Sequence, residues 1–473
     1  MGEGMKAVSH PTFAVVGHPN KGKSSIVSAL AMDDSIAISD TPGTTTRKRS
    51  FPLSVDGEVL YELYDTPGFQ RARGVLAWLR SHDVGADKRY EVVEAFIRAH
   101  RDDARYHDEI ELLEPIMAGA GIIYVVDGSK PYGEEYEAEM EILRWTGQPS
   151  MALINKIGES DYSEEWKRAL GNYFQIVRGF DPMHLSLEQH LKVLESMAQL
   201  REEWTPTVKR SIALFETYHA RLIERSATVI AKLLYRALSH VERYRLGEED
   251  AGKAERQELE TRYKARLRRF EEESQQRIEQ IWNHRNLKKE ERELTFEGID
   301  LFSEESASLF GLTRKEMLIT AAGGGAATGA GIDLMLGGSS FMLGTGIGAI
   351  AGGMGALFAF DKLSQIRLLG QTLGSRYLEM GPMENRNFPY ILLGRILYHT
   401  VKIASLSHAY RGEVDLVMDQ RFKERWLDSD RRKQLERFHR LFASDKTVDE
   451  EKLSEYEALI TEILKGLIDE TQD

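Results

Sequence analysis

Eight consecutive residues, Gly17-His18-Pro19-Asn20-Lys21-Gly22-Lys23-Ser24, fit the pattern G-x-x-x-x-G-K-[ST]. Residues 13–16 before them read as a buried strand, and residues 25–30 after them read as the start of a helix. Strand, glycine-bearing turn and helix in that order constrain the fold more than any other feature of the chain. The glycines let the backbone curl until successive N–H groups face a polyphosphate, and the helix N-terminus adds partial positive charge. Gly17, Pro19, Asn20, Lys21, Gly22, Lys23, Ser24 and Ser25 are therefore the candidate nucleotide-binding residues. Lys23 is expected to reach the terminal phosphates and Ser24 to hold Mg²⁺.

At 473 residues the chain is longer than one ordinary domain. It has no cysteine, so disulfides, thiol chemistry and cysteine zinc sites are excluded, which fits a reducing compartment. Residues 1–15 hold no apolar core of signal-peptide length, and we expect a cytoplasmic protein. A formal charge of −13 tells against a nucleic-acid partner, because that affinity rests on Lys and Arg neutralising phosphates. The 13 histidines form no H-E-x-x-H pair, so no structural metal site is expected.

Residues 36–49 form a hydroxyl-rich loop able to fold over a nucleotide. Residues 59–64 read as a strand that ends in Asp65-Thr66-Pro67-Gly68. An Asp at a strand end suits the surroundings of Mg²⁺, and a Gly beside it can offer its N–H to a γ-phosphate. Further strands are expected at 121–127, 149–154 and 173–177, the second running into Asn155-Lys156-Ile157-Gly158. Strands alternating with helices predict an α/β fold with a mainly parallel sheet and the nucleotide at the strands' carboxyl ends. The charged stretch 71–114 reads as a helical insertion, either a partner contact or a solvated face.

Residues 10–160 resemble the Era-like and TrmE-like bacterial GTPases, which have a Ras-like P-loop fold. Gly17 to Ser24 and Pro42-Gly43-Thr44-Thr45-Thr46-Arg47 carry the resemblance. It implies catalytic roles for Lys23, Thr46 and Gly68, Mg²⁺ held by Ser24, Thr46 and Asp65, and K⁺ at Asn20. Thr45 is the alternative switch threonine. Guanine reading is implied for Asn155 and Lys156, but Gly158 stands where the family has a carboxylate, with Glu159 or Asp161 as substitutes, so base selectivity stays open. Phe69 occupies the place of a water-orienting Gln, which implies slow hydrolysis raised by K⁺ or a partner; Gln70 reads as an ordinary loop residue.

From about residue 202 the strand pattern stops and an all-α region is expected. Val208, Ile212, Phe215, His219, Leu222, Ile223, Ser226 and Val229 predict an amphipathic helix after Pro206. Leu259, Tyr263, Leu267, Phe270, Ser274, Ile278 and Ile281 step by about 3.67 residues and predict an exposed stalk with one partner. Residues 391–410 and 449–473 predict an apolar helix and a docked amphipathic one, with His399 and His408 in packing roles.

Thirteen of the forty glycines fall between Gly323 and Gly355, and residues 317–360 hold one charge, Asp333. Two arms, 317–336 and 341–360, flank Gly337-Gly338-Ser339-Ser340. A helix of that length, rising about 1.5 Å per residue, can cross roughly 30 Å of hydrocarbon. Gly344, Gly348 and Gly352 permit close helix approach, and Arg314, Lys315 and Lys362 place the open end on the cytoplasmic side. A mean hydropathy of −0.39 and arms rich in Gly and Ala equally fit a hairpin buried within protein. Either way this half resembles an uncharacterised domain fused to Era-like GTPases, on Asp300-Leu301-Phe302, the hairpin and Asn387-Phe388-Pro389.

The expected organisation is a GTPase domain over 1–200, a helical stalk over 201–312, a glycine-rich hairpin over 313–362 and a helical region over 363–473. The expected function is a GTP/GDP switch acting on a helical effector region at the inner membrane, with lipid, a protein partner or a second copy as contacts. The alternative is a nucleotide-binding scaffold with little or no turnover.

Overall fold

The computed structural model describes residues 10–31, 49–55, 57–155, 160–182, 187–246, 252–282, 300–312, 366–370, 376–405, 422–444 and 448–470. Thr46, Lys156, Gly158, Glu159, His408 and the whole glycine-rich hairpin lie outside these residues. Six strands make the first sheet: β1 (Thr12–Val16), β2 (Arg49–Val55), β3 (Glu58–Asp65), β4 (Gly121–Asp127), β5 (Ser150–Asn155) and β6 (Ile176–Phe180). Their order is β2-β3-β1-β4-β5-β6, and all neighbours run parallel except β2 against β3.

The central strands are apolar on both faces because both faces are covered. On one face Phe13, Val15, Ile123, Val125, Met151 and Leu153 meet α1 (Lys23–Ala31), α7 (Leu187–Leu200) and the start of α8 (Thr205–Ser239). On the other, Ala14, Val16, Ile122, Tyr124, Val126, Ala152 and Ile154 meet the helices of the expected insertion and those beyond it. That insertion is helical: α2 (Ala72–Arg80), α3 (Arg89–His100) and α4 (His107–Met117), followed by α5 (Glu135–Trp145) and α6 (Ser163–Leu170).

The expected strands agree with the observed ones to within a residue except the last, which shifts by three residues, and the edge strand β2 was not among those expected. Phe174 leaves the strand to bury its ring against Tyr124, centroids 5.1 Å apart and nearly parallel, so β6 starts only at Ile176.

The second half is mostly helical: α8, α9 (Lys253–Ile281), α10 (Glu304–Phe310), α11 (Phe388–Ser405), α12 (Phe422–Trp426), α13 (Ser429–Phe442) and α14 (Glu450–Glu470). Helix α14 is docked as expected, burying Tyr456, Ile460, Ile463, Leu464 and Leu467. The apolar helix begins at Phe388 rather than 391, and its described part runs to Ser405; Asn385 Oδ1 accepts the N–H groups of Asn387 and Phe388 and so starts it earlier.

Two expectations for this half are corrected. A three-stranded antiparallel sheet joins the helices, ordered β7 (Glu242–Leu246), β9 (Arg376–Met380), β8 (Ile366–Gly370). The charged letters of Glu242-Arg243-Tyr244-Arg245 conceal β7, and its partner strand β9 lies more than a hundred residues away in sequence. Nor does α9 stand as a stalk on one partner. Its apolar stripe is buried against α8, α11 and the small sheet, and Glu271 and Glu279 are buried too.

Helix α8, 35 residues long, belongs to both cores. Val208 and Phe215 pack under the six-stranded sheet, while Leu222, Ile230, Leu234 and Leu238 lie in the second core. Arg210 Nη2 pairs with Glu58 at 2.9 Å beside the β2–β3 hairpin. Among the described residues no helix is long and apolar enough to cross a membrane.

Candidate functional site

Between β1 and α1 the chain coils instead of extending. Gly17 has φ +146°, and a Cβ there would lie 2.4 Å from the Val125 carbonyl oxygen. Asn20 (φ 60°) and Gly22 (φ 78°) take left-handed conformations, which glycine enters freely and Asn more readily than most residues. Helix α1 then begins at Lys23, placing its free N–H groups at the mouth of the loop.

Lys23 is buried, and its Nζ donates to Gly17 O at 3.2 Å and His18 O at 3.1 Å. Burial lowers its pKa to about 8, against the opposing pull of Asp65 and then Glu139. The Ser24 hydroxyl donates to Asp65 Oδ2 at 2.7 Å, bringing together two motifs 41 residues apart. Thr66 Oγ1 donates to Val15 O at 2.8 Å and ties the second motif to β1. Gly68 lies so close beneath Pro19 that a Cβ would come within 2.7 Å of its nitrogen.

At the end of β5, Asn155 Nδ2 donates to Lys21 O at 3.0 Å. Its Oδ1 is buried with no hydrogen-bond partner among the described residues. Lys21 is itself buried, its Nζ 3.8 Å from Asp127 Oδ2, and Ser25 is buried in α1. Asp161 Oδ1 accepts the Ser163 N–H at 2.9 Å, at the start of α6.

The structure thus brings together Gly17, Pro19, Asn20, Lys21, Gly22, Lys23, Ser24, Asp65, Gly68 and Asn155. Thr46 and Lys156 lie outside the described residues. Serine hydroxyl and carboxylate oxygen are hard donors of the kind Mg²⁺ takes, and the structure sets the two side by side.

Sequence reasoning missed two carboxylates. Glu139 is buried; its Oε1 meets His18 Nδ1 at 2.8 Å and its Oε2 accepts from the Tyr124 hydroxyl at 2.9 Å. Glu109, also buried, accepts the N–H groups of Gln70 at 2.9 Å and Arg71 at 2.5 Å, capping α2 from a distance. A signal existed. Glu139 follows Tyr136 by three residues and precedes Leu143 by four, and Glu109 stands likewise before Leu112 and Leu113, so each occupies the apolar face of its helix.

A family model described as "Domain of unknown function (DUF3482)" matches residues 167–465, and one described as "50S ribosome-binding GTPase" matches residues 12–156. The chain belongs to the DUF3482 family. In this member an Era-like P-loop GTPase domain is fused to a mostly helical domain.

Among curated proteins this DUF3482 chain is similar to GTPase Der of Mycoplasma pneumoniae, 25% identical over 207 residues, covering 42% of this chain and 40% of that protein. It is similar also to GTPase Der of Bifidobacterium longum, 28% identical over 210 residues, covering 43% and 38%. The chain thus spans about two fifths of the length of these relatives. Among solved structures it is similar to an Era variant of Aquifex aeolicus bound to GDP and aluminium fluoride, at 13% identity and TM-score 0.28, covering 57% of this chain and 89% of that one. An S. thermophilus NFeoB variant bound to the same ligands gives 16% identity and TM-score 0.25, covering 58% and 97%.

Proposed function

We propose that residues 1–200 bind Mg-GTP and hydrolyse it slowly, and that the nucleotide state is conveyed through α8 to the helical second half, which acts at a membrane surface. The observation that carries this reading is the Ser24–Asp65 contact at 2.7 Å, which joins the phosphate-binding loop to the segment ending in Gly68.

In this reading Gly17 to Ser25 cradle the polyphosphate, and Lys23 neutralises its terminal charge. The depressed pKa of Lys23 reflects burial in a site that becomes well matched once an anion enters. Ser24, Asp65 and Thr46 would hold Mg²⁺, which when bound neutralises phosphate charge. Gly68 offers its N–H to the γ-phosphate, and Asn155 with Lys156 reads the base. Asn20 holds K⁺. Catalysis rests on positioning and on preorganised positive charge. Phe69 is buried in the core rather than presented to a water, which agrees with slow turnover raised by K⁺ or a partner.

That same burial favours a second reading, a nucleotide-dependent scaffold with negligible turnover. A nucleic-acid partner is the lesser possibility for a chain of charge −13; lipid, a protein partner or a second copy are the proposed contacts of the helical half. Residues 201–312, 313–362 and 363–473 are proposed as its working segments, with 317–360 the membrane contact. Phosphate release from GTP and ATP, each with Na⁺ or K⁺, tests the proposal. GTP-selective, K⁺-raised turnover is expected; tight GTP binding with no release under either cation selects the scaffold.

A further inference from the structure

Helices α8 and α9 run side by side in the second half, and one groove between them is cationic. Its lining includes Arg225, Lys232 and Arg236 from α8 and Arg277 from α9, around a cavity of about 470 Å³. The first three recur at seven- and four-residue steps, so they share one helix face, and all four side chains are exposed. Val229, Leu233 and Ile281 give the lining its apolar part, beside Thr228 and Ser274.

Carboxylates offset this charge only in part. Glu273 lies in the lining and is already shared, 3.4 Å from Arg236 and 2.9 Å from Arg269. Glu457 of α14 approaches the rim, accepting from the Thr228 hydroxyl at 3.2 Å. Among the described residues, four cations against those two carboxylates leave a positive groove on a chain whose formal charge is −13. An anion placed among cations gathered on one face is attracted by all of them, more so at low salt. Three of the four are Arg, whose planar fork matches phosphate oxygens in pairs. A volume of this size suits a small ligand or a headgroup.

We propose that this groove is a binding site for a phosphate-bearing ligand, with the phosphate held among Arg225, Lys232, Arg236 and Arg277 and an apolar portion against Val229, Leu233 and Ile281. The site is separate from the phosphate-binding loop and does not depend on the reading given to that loop.

The test uses the full chain, the double variant Lys232→Gln/Arg277→Gln, the single variant Arg225→Gln and, as a separate arm, Lys23→Ala. The groove substitutions are exposed helix positions, and unchanged circular dichroism confirms that the fold survives. Binding of tripolyphosphate is measured by calorimetry, and co-sedimentation is measured with vesicles of phosphatidylglycerol or phosphatidylcholine. A soluble ligand predicts tripolyphosphate binding weakened at least tenfold in the double variant, less in Arg225→Gln, retained in Lys23→Ala, and reduced by added salt. A headgroup ligand predicts more sedimentation with phosphatidylglycerol than with phosphatidylcholine, the excess being lost in the double variant. The proposal is overturned if neither probe binds, or if the double variant binds both as the parent chain does. It is overturned equally if only Lys23→Ala loses tripolyphosphate.

Discussion

The backbone N–H of Gln70 donates to the Glu109 carboxylate at 2.9 Å, across 39 residues of chain. Arg71 N–H shares the same oxygen. The segment that follows Gly68 is thereby tied to the inserted helix α4 and not only to the sheet, so the insertion sets where the second motif ends.

Glu109→Ala leaves two N–H groups at the start of α2 without their acceptor. The expected loss of stability is about 1–3 kcal/mol, the usual cost of an unpaired buried partner, with faster amide exchange at Gln70 and Arg71 than in the parent chain. Unchanged exchange at both amides contradicts the anchoring role. Glu109→Gln keeps one acceptor and should fall between.

Gly68→Ala puts a methyl 2.7 Å from the Pro19 nitrogen and 2.8 Å from its Cδ. Neither atom can rotate away, so the two nucleotide motifs must separate. GTP turnover should drop at least tenfold while the thermal midpoint changes little; full turnover would mean that the close approach is not needed.

The buried pair Glu271–Arg395, with Nε to Oε1 at 2.6 Å and Ser306 Oγ at 2.8 Å from Nη1, fastens α9 to α11 and α10. Glu271→Ala takes the paired carboxylate from a buried guanidinium and should cost about 3–5 kcal/mol. Replacing both partners, Glu271→Leu with Arg395→Met, should recover much of that loss. Urea midpoints of the three chains decide it, and a double variant as unstable as Glu271→Ala counts against the account.

Acid should destabilise the protein through buried histidines. Burial pushes His190 and His439 down to about 3 and His219 to about 4. His190 is held in its neutral form, its Nε2 2.8 Å from the Tyr61 hydroxyl, which itself donates to Leu30 O. The unfolded chain therefore takes up the protons first as pH falls. Stability from these groups is complete above about pH 6.5 and declines between there and about pH 3. Each contributes a loss on the order of 2 kcal/mol at pH 5 relative to pH 7.5 by linkage. Urea midpoints at those two pH values give the size, and His439→Phe should flatten the difference; an equal drop in that variant would rule His439 out as a source.

How much of this was legible in the sequence depended on whether a residue's role was local. The loop at Gly17 to Ser24, the strand into Asp65 and the run of β4 are contiguous patterns, and the structure follows them. Helix α8 was legible from Val208 onward because its apolar spacing repeats along the chain. What escaped were pairings at long range. Glu109 and Glu139 act on backbone and side chains 39 and 121 residues away, and β7 finds its partner at 376–380. Glu271 looked like one more charge on a charged helix because its guanidinium partner lies 124 residues on. No window along the chain shows such distances. Phe174 failed for a different reason: a strand-like letter was claimed by ring stacking on Tyr124.

The central claim is that the loop at Gly17 to Ser24 hydrolyses GTP through Lys23. Its most direct test is phosphate release from Mg-GTP by the full chain beside its Lys23→Ala variant, with circular dichroism confirming that both are folded. The account predicts slow but measurable release by the parent chain and a loss of at least a hundredfold in the variant, since a buried ammonium at the terminal phosphates is removed. Equal release by the two proteins, or none by either, would contradict it.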